Sequence, residues 1–205
     1  MDTSFFFRGL LIGFSIAAVV GPIGLLCIHR TLHEGFLSGL VTGLGAATAD
    51  AVYGSIAAFG LTVITTFLVR QAMWIHLIGG LFLVYLGIKT LLTRPAERAA
   101  DARANHLPGA YTSTLLLTLT NPTTILSFIA VFAGLGVGGN KNSVLSATVV
   151  VAGVFLGSVL WWCLLSGGIN LLREKFATRW LLWINRISGG GIALFGIVAI
   201  ISLIR

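Results

Sequence analysis

Long apolar stretches interrupted by short polar or charged joints divide the chain into six candidate spans. The first covers about Phe5–Ile28 and stops at His29-Arg30, and the second lies within Gly35–Val69, where Asp50 is the only charge. The third runs from about Ala72 to Leu92, and the fourth from about Tyr111 to Leu135. The fifth lies within Asn142–Leu172, and the sixth covers about Leu181–Ile204. Several exceed the roughly 20 apolar residues that cross a bilayer as a helix. The second run would be about 52 Å long if wholly helical, so it has to tilt, break or extend beyond the membrane.

The spans fall into two similar groups. Ile75-His-Leu-Ile78-Gly-Gly80 aligns without gaps over Ile184-Asn-Arg-Ile187-Ser-Gly189, and Gly87-Ile88 over Gly196-Ile197. Two interior prolines also correspond, Pro22 in Gly21-Pro22 and Pro122 in Asn121-Pro122. The pattern predicts a duplication, with residues 1–92 as one three-helix repeat, 93–110 as a cytoplasmic linker and 111–205 as the second repeat. Three spans is an odd number, so the repeats must be inverted in the membrane. The expected fold is an all-α integral membrane protein of about six transmembrane helices, in two inverted three-helix repeats with proline-broken first helices.

Composition excludes a soluble globule. Apolar residues make up 57% of the chain and charged residues only 9%, against about 25% charged in a soluble domain. The formal charge of +7 does not indicate nucleic acid, because Lys and Arg cluster in short joints between spans. Arg30, Lys89, Arg94, Arg98, Arg103, Arg173, Lys175, Arg179 and Arg186 fall on the side of the odd loops, and Arg8, Arg70, Lys141 and Arg205 on the other. That excess puts the odd loops in the cytoplasm and both termini outside, in the periplasm. Gly9–Ile28 is longer than a signal-peptide core and is expected to remain as a span. Cys27 and Cys163 sit in apolar runs without C-x-x-C spacing and read as buried small hydrophobes.

Asp50 is the only acid deep in a span; Asp2, Glu34, Glu97, Asp101 and Glu174 lie at loops or ends. A carboxylate in hydrocarbon is costly unless paired, hydrated or protonated, which makes Asp50 a site for a cation or proton. A structural hydrogen bond to a neighbouring helix is the alternative. Pro22 is compatible with the start of a new half-helix, whose free N–H groups attract a carboxylate. Asp50 and that helix end together suit a zwitterion. Thr118, Asn121 and Thr123 bring further polar groups to the second break at Pro122, although threonines can equally bond their own helix backbone. No phosphate loop or hydrolase triad can be assembled, and the histidines have no metal spacing. The expected protein is not an enzyme, with no cofactor and no metal site, and its partners are the lipid bilayer, protons and a small-molecule substrate.

Gly21-Pro22, Asp50 after a Gly-rich helix, Gly79-Gly80 followed by Tyr85-Leu-Gly87, and Asn121-Pro122 resemble, in order and spacing, the LysE/RhtB family. Members are bacterial inner-membrane exporters of amino acids and related metabolites. The resemblance covers nearly the whole chain and implies export driven by the proton gradient. It assigns Asp50 to the substrate amine or to proton exchange, and both broken helices to the substrate backbone. One departure is Thr123, where many members carry a basic residue after the proline. A metal-cation efflux carrier and a thiol-electron carrier of the CcdA/DsbD type are the alternatives. The first needs several buried ligands and the second needs cysteines beside both prolines. The transported metabolite and the oligomeric state, a homodimer included, are left open.

Overall fold

A computed structural model describes residues 3–19, 21–59, 70–92, 107–121, 124, 127–128, 144–173 and 178–201. Among these, the helices are α1 (Thr3–Ala17), α2 (Pro22–Glu34), α3 (Phe36–Ala58), α4 (Ala72–Leu92), α5 (Leu107–Leu119), α6 (Val144–Arg173) and α7 (Thr178–Ile201). By length and composition, α3 and the Val144–Leu172 stretch of α6 can each cross a membrane alone. Ser4–Ala17 and Pro22–Glu34 can cross as a bent pair, while the apolar stretches Leu77–Lys89 and Arg186–Val198 are shorter.

The first apolar run is two helices rather than one. Pro22 opens α2, where its missing N–H would have had no intrahelical partner in any case. Gly21 is extended before it, and the axis turns by 79° between the two segments. α2 ends at Gly35, whose φ of 100° suits a residue without a Cβ. Gly35 alone connects α2 to α3. Within the second apolar run α3 ends at Ala58, where the Phe59 N–H closes the last turn onto the Ser55 carbonyl at 3.0 Å.

α3 and α6 pack on each other at the centre. α1 lies along α6, α5 along α3 and α4 along α7, while α2 contacts α3, α6 and α7. Two of these crossings depend on glycine. A Cβ on Gly13 would lie 2.0 Å from the Val154 carbonyl oxygen, and one on Gly157 2.1 Å from that of Leu10. The α4–α7 crossing is reciprocal: Gly87 meets the Gly189 carbonyl, and Gly196 meets that of Gly80. Close backbone approach of this kind replaces the hydrophobic effect as the source of helix association in lipid. The outward faces stay apolar, as at Leu156, Leu160 and Leu164 along α6, which hydrocarbon accepts and water would not.

Candidate functional site

A cavity of about 310 Å³ lies where α1, α2, α3, α4, α5, α6 and α7 all contribute lining residues. Its volume is at the small end of ligand pockets. Ile16, Ala17, Leu83, Leu117 and Phe195 make much of the wall apolar, and Asp50, Thr118, Thr120, Asn121 and Ser127 supply side-chain polar groups.

Asp50 sits in α3 and is only 3% exposed. The helix reaches this depth with Gly45, Ala46, Ala47 and Ala49 buried around the acid, and these small residues let α5 and α6 approach. A Cβ on Gly45 would lie 2.5 Å from the Tyr111 carbonyl oxygen, and one on Gly43 2.3 Å from Cβ of Trp162. Ser158 Oγ donates to Asp50 Oδ2 at 2.6 Å, and Trp162 Nε1 donates to Ser158 Oγ at 3.1 Å. All three groups are buried, and Trp162 also lines the cavity. Hydroxyl and indole thus orient one carboxylate oxygen.

The opposite polarity comes from α2. Gly21, Pro22, Ile23 and Gly24 line the cavity, and Gly21 makes no side-chain cap. At the start of α2 the Leu25 N–H bonds the Gly21 carbonyl at 3.1 Å. The N–H groups before Leu25 therefore sit at the positive end of the helix dipole, beside the cavity. A Cβ on Gly24 would meet nothing within 4 Å, so there is open space at this helix end.

α5 ends at the cavity. Thr118 Oγ1 donates to the Thr114 carbonyl at 2.8 Å, which is the backbone-bonding role that threonines adopt in apolar helices. Asn121 N–H bonds the Thr118 carbonyl at 3.1 Å. Tyr53 donates from α3 to the Leu119 carbonyl at 2.5 Å, satisfying an acceptor at the end of the helix. Of the site residues expected from sequence, Asp50, Gly21, Pro22, Thr118 and Asn121 share this cavity. Pro122 and Thr123 lie outside the described residues.

Four residues with defined roles here are not visible as such in the sequence. Ser158 lies 108 residues after Asp50, near the offset at which the third and sixth spans align in sequence, and that offset is the one sequence signal pointing to it. Trp162 lies deep in an apolar run, where packing or a cavity wall are both open in sequence, and it lines the cavity. Tyr53 is one turn from Asp50. Arg30 reads as a loop charge, yet its guanidinium is held between helices: Nη1 donates to Thr42 Oγ1 at 3.1 Å, to the Ala110 carbonyl at 3.0 Å and to Thr114 Oγ1 at 3.0 Å, and Nη2 donates to Ser113 Oγ at 2.9 Å.

Among the described residues no group of three or more His, Cys, Asp or Glu could share a metal ion. Cys27 is fully buried against the Gly39 carbonyl and Ser166, and both cysteines are free.

Comparison with known proteins adds an independent line. Residues 14–203 match the family model described as LysE type translocator. YcgF of Bacillus subtilis, named as a candidate amino acid efflux protein, is 29% identical over 93% of this chain and 92% of its own length. The threonine efflux protein of Salmonella typhi is 28% identical over 78% of this chain and 79% of its own. The chemotactic transduction protein ChpE of Pseudomonas aeruginosa is 26% identical over 95% and 96%. No solved structure gives a significant match.

Proposed function

Because this chain belongs to the LysE type translocator family, and is thus a membrane transporter and not an enzyme, we propose that it exports amino acids or related small zwitterions across the bacterial inner membrane by proton antiport. One observation carries the reading. The cavity sets a buried carboxylate, Asp50, on one wall and the uncapped N-terminus of α2 on another. An ammonium group fits the first and a carboxylate the second, so a free amino acid is complementary to both at once.

In the cycle proposed, Asp50 releases its proton to the cytoplasm as the substrate amine arrives. The two halves then rock, and an external proton displaces the amine on the far side. Ser158 and Trp162 hold the carboxylate in place through both states. Gly21, Pro22, Thr118 and Asn121 border the substrate, and Pro122 and Thr123 are proposed to continue that border.

The architecture behind this cycle is the six-span inverted repeat. Its support is the reciprocity of the α4–α7 crossing. Gly80 and Gly87 precede Gly189 and Gly196 by the same interval, and each glycine of the first pair meets the counterpart of the other. Two equivalent elements related by a two-fold axis make contacts of this self-complementary kind. The Asp50–Ser158 bond has nearly the same interval, consistent with an axis passing between α3 and α6. The positive-inside bias puts the ends of α2 and α4 and the start of α5 in the cytoplasm, with both termini periplasmic.

The test is efflux of a panel of labelled amino acids from loaded proteoliposomes, with and without an imposed proton gradient. Gradient-dependent efflux of at least one amino acid is expected. Gradient-independent leakage, or none across the panel, would contradict the proposal.

A further inference from the structure

Arg30 lies about two turns beyond Pro22 on α2, at the opposite end of that helix from the cavity. Its guanidinium reaches Thr42 on α3 and Ala110, Ser113 and Thr114 on α5. Both threonines stand one turn from a cavity wall residue on their own helix, Thr42 from Ala46 and Thr114 from Thr118. Arg30 therefore ties α2 to α3 and α5 about one turn from the cavity wall, at the end where α2 finishes and α5 begins.

The choice of partners is informative. A buried guanidinium is usually matched by a carboxylate, but every acceptor here is a neutral hydroxyl or carbonyl. Glu34, one turn further along α2, accepts from Ser38 and acts on Arg30 through space. Bonds from a guanidinium to neutral oxygens are still charge-assisted, but they lack the full Coulombic attraction of an ion pair. The planar fork also collects acceptors from two helices at once, which an ammonium on a flexible stem cannot reproduce. Three of its four bonds go to α5. In the repeat reading above, on which this inference rests, those three cross from one half of the protein to the other.

We propose that Arg30 is the latch of a gate at this end, and that the cavity opens to this face only when its three bonds to α5 break. The neutral acceptors keep the latch reversible. An ion pair in the same place would hold it shut, and loss of the acceptors would leave it open. Arg30 is thus a positioning residue for the transport cycle and touches no substrate in this role.

Thiol labelling of the full-length protein tests this without any transported substrate. Gly24 lines the cavity and has open space around it, so Gly24→Cys in a Cys27→Ala, Cys163→Ala background reports access. A membrane-impermeant maleimide is applied to inverted and to right-side-out vesicles, so the result does not depend on the assumed orientation. From the face where α2 ends, labelling should quicken at least about tenfold in Arg30→Gln, since even one of the three charge-assisted hydrogen bonds is worth roughly that factor. Arg30→Lys should behave in the same way as Arg30→Gln. Ser113→Ala should also quicken labelling, while Ser113→Asp should slow it below the parent.

The Ser113 pair retains Arg30, so the comparison survives if the Arg30 variants do not fold. Equal rates across the series would overturn the latch, as would Ser113→Ala and Ser113→Asp shifting the rate in the same direction. Wild-type protection in Arg30→Lys would overturn the bridging role of the fork. A protein that exported none of the amino acids tested would still give these rates, so failure of the transport reading stays distinguishable from failure of the latch.

Discussion

Ser158 Oγ and Asp50 Oδ2 meet at 2.6 Å, joining the two long central helices across 108 residues of chain. The bond is buried and lies beside the cavity, so it couples the packing of α3 on α6 to the orientation of the one acid there. Ser158→Ala removes the donor and leaves a buried acceptor unpaired, at a cost of about 1–3 kcal/mol. The thermal midpoint of the purified protein in detergent should fall accordingly. Because the partners touch, the double variant Ser158→Ala, Asp50→Asn should lose less than the two single losses combined.

The glycine crossings predict a sharp contrast between positions. Gly13→Leu and Gly157→Leu place side chains where even a Cβ would lie about 2 Å from a carbonyl oxygen of the facing helix. Separating α1 from α6 to admit them should abolish the yield of monodisperse protein. Gly168→Ala and Gly190→Ala meet nothing within 4 Å and should leave yield and thermal midpoint unchanged. Size-exclusion chromatography separates these outcomes.

Tyr53→Phe tests whether the end of α5 needs an outside donor. The hydroxyl bonds the Leu119 carbonyl at 2.5 Å, and an unsatisfied carbonyl in a dry environment is costly. Efflux should drop several-fold, and stability should fall by about 1–3 kcal/mol. Paired efflux and denaturation measurements on this variant check both parts.

Much of this arrangement was legible in the chain. The helix break at Pro22 follows from proline's missing donor, and the depth of Asp50 follows from the absence of other charges around it. The end of α3 at Ala58, with Phe59 capping it, is not visible in hydropathy because the sequence stays apolar beyond it. Arg30 was misread for a related reason. A charge at the end of an apolar run looks like a loop residue, and only the convergence of α3 and α5 reveals that it is held between helices. Ser158 and Trp162 depend on a contact between distant spans, so apolar periodicity carried no trace of their hydrogen bonds.

Space at the N-terminus of α2 gives a direct handle on the substrate's carboxylate. Gly24→Glu would tether an acid in the cavity next to the first N–H groups of α2, where the substrate carboxylate is proposed to bind. Efflux should be lost while insertion and thermal midpoint are kept, and Gly24→Ala should export normally. Parallel efflux assays of the two variants decide it, with normal export by Gly24→Glu counting against an anion site at this helix end.

The central claim is that Asp50 exchanges a proton for the substrate's amine. Its most direct test is amino-acid efflux from proteoliposomes containing Asp50→Asn, measured with and without a proton gradient beside the parent protein. Asparagine keeps the shape and can still bond Ser158, but it cannot carry the exchanged proton. The account predicts folded, inserted protein whose gradient-driven efflux is abolished. Gradient-driven efflux at the parent rate would contradict it.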